Sequence, residues 1–438
     1  MSLNLYKKYK KSSVEWLGDI PEHWKIGKFR HAFIESNEKI EDAVVGQMLS
    51  VSGYRGIEIK EYDDENRRRL DEDLIGYRIV RTGQLVVNTM WLNYAGLGVS
   101  DFEGHVSPAY RSYWISEKLE KRFLHYLMRS DRYVKGYTKF LTGVRPNSLQ
   151  MSRDDLMEFP ILQPSREEQI AIAIFLDWET VKIDTLISEK QRLIELLKEK
   201  RQAVISHAVS KGLNPNVSMK DSGIEWLGEV PKHWGIVPLK IVASHNDTVL
   251  DENSDPDKEI LYVDISSVNE VSGITTKEAM LYAKAPSRAR RKVRHGDVII
   301  STVRTYLRAI ARIRSPEDNL IVSTGFAVIR PTDRITSDFL GYVLLANFFV
   351  EQVIARSVGV SYPAINASEL VCISITLPPT SKQIDITTYL DCETAKIDAL
   401  IAEADKAISL LRERRTSLIS SAVTGKIDVR GTTKQEIL

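Results

Sequence analysis

The chain has 438 residues, 43% of them hydrophobic, and carries 60 basic against 59 acidic side chains for a formal net charge of +1. That length gives room for two or three domains, and the near-neutral balance means that charge distribution, not bulk charge, has to identify any nucleic-acid partner. No run approaches the roughly 18 apolar residues of a membrane-spanning helix, and residues 1–11 are polar and lysine-rich, without the apolar core of a secretory signal.

Taken in chain order, the first distinctive stretch is Ser12-Ser-Val-Glu15-Trp16-Leu17-Gly18, continued by Pro21-Glu-His23-Trp24. It returns as Ser222-Gly-Ile-Glu225-Trp226-Leu227-Gly228 with Pro231-Lys-His233-Trp234, at an offset of 210. A lone histidine between proline and tryptophan lacks the partners of a metal site. Each copy therefore reads as a packed lead-in segment whose tryptophans clamp the start of a domain.

Residues 25–163 mix strands and helices. Residues 77–88 read as strand–turn–strand with Gly83 at the turn, echoed at residues 292–301 with Gly296. A loop rich in Trp91, Asn93, Tyr94, Gly96 and Gly98 follows, then a strand at 109–115 and a helix at about 118–137. The helix has a counterpart at about 335–355. Each segment closes on a short turn and strand, Thr142-Gly143-Val144-Arg145-Pro146-Asn147 in one copy and Val358-Gly359-Val360-Ser361-Tyr362-Pro363 in the other. Outside these anchors the two segments do not align. The frame is duplicated and its contents differ, which suggests two readers of different things.

The longest repeat joins residues 169–209 to 383–423 without a gap at an offset of 214, with 22 of 41 positions identical. Apolar residues recur every three or four positions, from Ile172 and Leu176 to Ile205 and from Leu390 to Ala422, which predicts one long helix in each copy. Ser165-x-x-Glu168 and Thr380-x-x-Gln383 read as capping boxes, and Gly212 and Gly425 suit left-handed caps. A helix of about 41 residues is roughly 60 Å long. Its apolar stripe needs cover, and the nearest match is its duplicate, so the pair is expected to form an antiparallel coiled coil. Glu179, Asp184, Glu393 and Asp398 read as solvated flanks or helix–helix salt bridges.

Charge is concentrated in residues 284–314, where ten basic residues face one acid, Asp297. Arg288, Arg290, Arg291, Arg304 and Arg308, with Tyr306 among them, make a footprint suited to phosphates and base edges. The first domain is more modest, with Arg145 and Asn147 in its closing turn. The acidic run at 61–72 reads as a solvated loop. Walker, dinucleotide-binding, zincin and nucleophile-elbow motifs are absent, as is the tetrapeptide of amino-methyltransferases. Cys372 and Cys392 stand in no metal or redox motif, which fits a reducing cytoplasm.

Together, the Glu-Trp-Leu-Gly…Pro-x-His-Trp motif in both copies, Pro164…Glu168-Gln169-x-x-Ile172, Leu176-Asp177-x-Glu179-Thr180 and the ending at 422–429 resemble the specificity subunits of type I restriction–modification systems. The second copy departs mildly, with Lys382-Gln383 for Glu168-Gln169. The resemblance implies an α+β chain in which two pseudo-repeated mixed α/β target-recognition domains, residues 1–163 and 213–377, are separated by two long helices, 164–212 and 378–431. Residues 432–438 would form a flexible tail.

It also implies a non-catalytic cytoplasmic subunit that reads a bipartite, asymmetric site on double-stranded DNA, one half per domain. Two methyltransferase subunits, and restriction/translocase subunits, would be its partners, and no membrane. This chain would hold no cofactor, and S-adenosylmethionine, ATP and Mg would be bound by those partners. Apolar positions left over on the long helices would receive methyltransferase helices, and shortening a helix by one turn would change the spacer, not the bases read. The residues assigned to DNA are Trp91, Asn93, Tyr94, Arg145 and Asn147 in the first domain. In the second they are Arg288, Arg290, Arg291, Arg304, Tyr306, Arg308, Ser361 and Tyr362. The competing classes are a protein-only coiled-coil scaffold and a stand-alone DNA-modifying enzyme.

Overall fold

The computed structural model describes residues 4–62, 70–143, 149–251 and 254–431. It divides into two compact units, one of residues 1–189 with 407–438 and the other of residues 190–406.

The first unit starts with a hairpin of β1 (Tyr9–Lys11) and β2 (Asp19–Pro21), then β3 (Lys25–Lys28), α1 (Phe29–Ala32) and β4 (Phe33–Ser36). Next come β5 (Gln47–Ser52), β6 (Gly56–Ile59), β7 (Arg78–Val80), β8 (Leu85–Val87), β9 (Leu97–Val99), β10 (Gly104–Val106) and β11 (Arg111–Ile115). They build two four-stranded sheets, ordered β6-β5-β10-β7 and β4-β11-β8-β9. The β5–β10 pair is parallel and the other pairs are antiparallel. Helices α2 (Lys121–Arg129), α3 (Asp131–Thr138) and α4 (Arg153–Glu158) follow, and β12 (Pro160–Gln163) returns to pair with β3. Helix α5 (Arg166–Lys211) then leaves this unit for the second.

The second unit repeats the plan. Its strands are β13 (Met219–Asp221), β14 (Glu229–Pro231), β15 (Gly235–Pro238), β16 (Ala243–His245), β17 (Glu259–Val263), β18 (Val268–Asn269) and β19 (Gly273–Ile274). They continue with β20 (Glu278–Leu281), β21 (Ala289–Lys292), β22 (Val298–Ser301), β23 (Ile310–Arg312), β24 (Leu320–Ser323) and β25 (Phe326–Pro331). Helices α6 (Ser337–Leu345), α7 (Asn347–Arg356) and α8 (Ala367–Leu370), strand β26 (Ser374–Leu377) and helix α9 (Thr380–Val423) complete the chain order. The sheets run β20-β17-β24-β21 and β16-β25-β22-β23. They match the first unit strand for strand, although the intervening sequence does not align.

The strand–turn–strand expected around Gly83 is present, and its strands β7 and β8 enter different sheets, as β21 and β22 around Gly296 also do. Both glycines adopt positive φ, +84° and +90°, at the crossing. The single helices expected at about 118–137 and 335–355 are each two helices. They break at Ser130 and Ala346, where ψ turns extended, to 148° and 143°. Ser130 Oγ donates to the Leu127 carbonyl at 2.7 Å, so the side chain competes with helix bonding there. The break lets both halves bury apolar faces, Phe339 and Leu340 on α6 and Phe349 and Val353 on α7. Among the described residues no single helix is long and apolar enough to cross a membrane.

Helices α5 and α9 run antiparallel. In the first unit, Arg415 Nε donates to Asp184 Oδ1 at 3.0 Å and Arg414 lies 3.8 Å from Glu179. In the second, Arg201 Nε donates to Asp398 Oδ1 at 2.9 Å. The 214-residue offset exchanges Asp184–Arg415 with Asp398–Arg201, so a single helix–helix salt bridge is made twice. The buried stripe comprises Ile172, Leu176, Ile183, Ile187 and Ile194 on α5 and Leu390, Ile397 and Ile408 on α9.

The ends of these helices are only partly as expected. Gly212 and Gly425 take the left-handed conformation, at φ +78° and +73°. Gly425 packs against Pro21 and Trp24 so closely that no Cβ would fit. Ser165 Oγ accepts from Glu168 N–H at 3.3 Å, but the Glu168 carboxylate does not return the bond. It accepts from the Tyr6 hydroxyl at 2.6 Å and lies 2.9 Å from His23 Nε2, so the box is half made and the glutamate anchors the lead-in segment. Gln383 likewise spends its amide on Thr336 N–H and the Pro378 carbonyl.

Each unit is fastened to its long helix by one polar latch. Gln169 Oε1 accepts from Glu120 N–H at 2.8 Å, and Gln383 Oε1 from Thr336 N–H at 2.7 Å. Tyr126 donates its hydroxyl to Asp177 at 2.7 Å beside Thr180, and Tyr342 donates to Asp391 at 2.6 Å beside Thr394. Arg122 and Arg312 stack on the two tyrosine rings and pair with the same aspartates. A hydrogen bond to a charged acceptor contributes about 1.5–3 kcal/mol. Tyr342→Phe and Tyr126→Phe should each lower the stability of their own unit by about 1–2 kcal/mol, read as an earlier urea midpoint for that unit's transition in the intact chain.

Candidate nucleic-acid interface

In each unit β8 or its equivalent β22 ends in an exposed loop, and a second loop from beyond the helix pair folds onto it. In the second unit the loops are residues 302–308 and 357–366. Arg304 N–H donates to the Pro363 carbonyl at 2.8 Å and Ile365 N–H to the Thr302 carbonyl at 2.9 Å. Thr305 Oγ1 and Ser357 Oγ are 2.9 Å apart. In the first unit the loop after β8 is residues 88–96, and of the second segment the described residues are 142–143 and 149–151. Met151 N–H donates to the Thr89 carbonyl at 3.2 Å, and Gln150 Nε2 to Thr89 Oγ1 at 3.3 Å. The second loops are closed by matching bridges, Thr142 to Gln150 and Val358 to Ala364.

What the two loop pairs display differs. In the first unit Trp91 and Tyr94 are 53% and 58% exposed, with ring centroids 6.2 Å apart at 69°. Asn93 lies half-buried between them, and its amide oxygen is buried without a hydrogen-bond partner. Ala95 is left-handed at φ +54°. Arg145 and Asn147 lie outside the described residues. In the second unit the Arg304 guanidinium sits over the Tyr362 ring at 4.5 Å, a cation–π contact. It has no carboxylate partner among the described residues. Ser361, Tyr306 and Leu307 are exposed beside it, and Val360 projects fully into solvent.

The structure therefore gathers Trp91, Asn93 and Tyr94 on one display, and Arg304, Tyr306, Ser361 and Tyr362 on the other. Arg308 belongs to its loop but turns inward, donating to Asn347 Oδ1 at 2.9 Å and lying 3.8 Å from Glu270. The remaining arginines of the basic run are spread apart. Arg288 donates to Tyr262 and Asp264, and its carbonyl accepts from Thr324 N–H in the turn whose Gly325 carbonyl supports Thr302. Arg290 stacks on Tyr282, while Arg291 leaves its Nε buried and unpaired. Arg312 and Arg314 pair with Asp338 and Asp391 and serve the latch. Local counting missed those acids because they come from α6 and α9.

Two further side chains shape the first display from behind, Arg129, one of several basic residues spread along the first domain's helix and turn, and His125, which carries no sequence signal. Arg129 on α2 reaches the loop main chain, and His125 Nδ1 accepts from Val99 N–H at 3.3 Å. No group of three His, Cys, Asp or Glu side chains suited to a metal ion occurs among the described residues.

A family model described as the type I restriction modification DNA specificity domain matches residues 231–408. The chain is 22% identical over 317 residues to the StySPI specificity subunit of a type I restriction enzyme from Salmonella potsdam. That match covers 70% of this chain and 66% of the relative, just under two thirds of its length. The EcoDI specificity subunit from Escherichia coli is 20% identical over 345 residues, 75% of each chain. Among solved structures, a chain of a type I R-M system studied for complex assembly and conformational transition gives a TM-score of 0.69 at 16% identity, covering 93% of this chain and 99% of that one. The HsdS subunit from Thermoanaerobacter tengcongensis gives 0.53 at 16% identity, covering 95% and 100%. The fold described above is shared with both.

Burial, reinforced by Arg129 and Arg122, pulls the His125 imidazole down to about 3 from its ordinary value of 6.5. An unfolded chain binds that proton near the ordinary value and folded His125 does not. The first unit's stability from this source is thus complete above about pH 6.5 and is lost progressively as pH falls toward 3. His125→Gln should flatten that fall, measured as the change in urea midpoint between about pH 7 and about pH 5.

Proposed function

We propose that this chain, a specificity subunit of the type I restriction–modification family, recognises a bipartite, asymmetric site on double-stranded DNA, with one loop pair on each half. One observation carries the reading. In both units the loop after the strand is held by an equivalent main-chain bond, Met151 N–H to the Thr89 carbonyl and Ile365 N–H to the Thr302 carbonyl, yet one unit displays Trp91 and Tyr94 and the other Arg304, Tyr306 and Tyr362. A constant support with different side chains is what two unlike half-sites demand of a single chain. An unpaired arginine on an exposed loop suits phosphate or a guanine edge, and exposed aromatic rings suit bases and sugars.

The partners follow from the same reading. Two methyltransferase subunits would dock equivalently on the pseudo-symmetric frame, and restriction/translocase subunits would join them. Apolar side chains stay exposed on the long helices, among them Ile174, Trp178 and Val181 on α5 and Ile384 and Tyr389 on α9, which supports their use as docking positions. S-adenosylmethionine, ATP and Mg would be held by those partners, in the cytoplasm.

The test is co-expression with a partner methyltransferase and mapping of methylated adenines across a genome. Exchange of residues 25–163 for the same segment of another such subunit should change one half of an interrupted motif and leave the other intact. Methylation unaffected by the exchange would refute the reading. In the assembled complex, Arg304→Ala should weaken binding by about 1–3 kcal/mol. If the arginine holds a phosphate, the salt dependence of log K should also become shallower by about one unit.

A further inference from the structure

We infer that Arg129 in the first unit and Arg308 in the second are positioning residues that set half-site selectivity without touching DNA, each by clamping its display loop to the scaffold. The inference rests on the DNA reading proposed above.

Arg129 lies in the last turn of α2, largely withdrawn from solvent. Its Nη1 donates to the carbonyls of Ser52 and Ala95, both at 3.1 Å, and to that of Leu97, while Nη2 donates to the Gly53 carbonyl at 2.9 Å. Two of these oxygens, of Ser52 and Gly53, lie where β5 ends and two, of Ala95 and Leu97, where the Trp91–Tyr94 loop runs into β9, so one side chain ties these neighbouring segments together. Burial lowers the guanidinium only to about 10, which leaves it charged at neutral pH. Ala95 within that loop holds a left-handed conformation, at φ +54°, which alanine disfavours and Arg129 helps to hold. The Ser52–Gly53 turn is itself fixed. A Cβ on Gly53 would lie 2.7 Å from the Tyr94 carbonyl. The neighbouring Tyr54 hydroxyl donates to Asp184 at 2.8 Å, with Arg415 over its ring at 4.8 Å. The loop is thus referenced, through Arg129 and Tyr54, to the long helices of its own unit.

Arg308 does the same work from a different place. It is part of the display loop, left-handed at φ +51°, with about a quarter of its side chain exposed. Its guanidinium faces Asn347 at the start of α7 and Glu270 in the turn between β18 and β19. That turn closes the β18–β19 hairpin, which lies in the chain between β17 and β20, the equivalents of β5 and β6. The job recurs while the arginine does not, since Leu345 lies on α6 where Arg129 lies on α2.

The experiment uses the complete chain assembled with its methyltransferase partner. Arg129→Gln, Arg129→Lys, Arg308→Gln and Arg308→Lys are each compared with the parent for binding to the cognate duplex and to duplexes carrying one wrong base pair in either half, across a salt series. Arg129→Gln should reduce discrimination about tenfold in the half assigned to residues 25–163 and leave the other half unchanged. Arg308→Gln should do the reverse, and the lysine variants should fall between parent and glutamine. The salt slope should stay at the parent value, because no phosphate contact is lost. A slope shallower by about one unit would make the residue a phosphate contact and overturn the inference, as would equal loss in both halves or unchanged discrimination. If a glutamine variant fails to assemble, its lysine counterpart makes the same comparison. Exchange of residues 25–163 separates the two levels. If it alters neither half, the DNA reading falls and this inference with it; if it alters one half while the Arg129 variants leave that half unchanged, only this inference falls.

Discussion

Two tyrosine hydroxyls, Tyr126 on Asp177 and Tyr342 on Asp391, fix how each unit meets its long helix, and much else depends on them. An apolar stripe alone leaves a helix free to slide by one turn, because Ile and Leu recur every three or four residues and one repeat packs nearly as well as the next. A short, charge-assisted hydrogen bond does not tolerate that slip. With Thr180 and Thr394 on the same hydroxyls, and Gln169 and Gln383 capping α2 and α6, the register of sheet, helix pair and long helix is set by a few polar atoms. Polar groups of this kind specify one arrangement among several apolar ones of similar stability. The loops carried on that frame inherit its precision.

The latch also explains which parts of the architecture were legible in the amino-acid sequence. Gln169, Asp177, Thr180 and Asp184 return as Gln383, Asp391, Thr394 and Asp398 because each copy makes the same bond. Both long helices, their antiparallel packing and their glycine caps could therefore be read directly. The sheets could not. Their strands are three to six residues long, pair across large sequence separations, and need only be apolar on the covered face, so unlike sequences fill the same eight places. The helix breaks at Ser130 and Ala346 carry no proline or glycine to announce them. Charge density misled in a specific way. The run at residues 284–314 looks like one patch along the chain, but Asp338 and Asp391 neutralise its end from elsewhere, and the residues of β21 point their guanidinium groups at different neighbours. Of the candidate contacts among the described residues, Trp91, Asn93 and Tyr94 are gathered on one loop and Arg304, Tyr306, Ser361 and Tyr362 on the other unit's loop pair, and those on the strand are not. Arg129 stands in the sequence as one of several basic residues along a helix, and nothing singles it out because its partners are carbonyl oxygens, which every sequence possesses.

Comparing the units shows how one fold carries two chemistries. One main-chain bond, Met151 to Thr89 and Ile365 to Thr302, is made alike in both units, so the junction that carries the loops is shared. The exposed side chains are free to diverge because they contribute little to holding that junction. The clamps behind the loops diverge as well, with an arginine from a helix in one unit and from the loop itself in the other. The surface that changes is separated from the atoms that keep it in place, a division common where variable loops are carried on a rigid scaffold.

The first unit draws on both ends of the chain. Its strands and the start of α5 are complete by Glu189, yet the helical segment that covers them begins at Ala407. Asp428 N–H then closes on the Asn4 carbonyl at 2.8 Å. During synthesis this unit emerges first and closes last. At 5–20 residues per second, its apolar helix face waits roughly 10–50 s for its cover, while the second unit lies continuously between residues 190 and 406 and needs nothing made after it. By chain order, the unit synthesised second is the one whose residues are all made before the first unit's are complete.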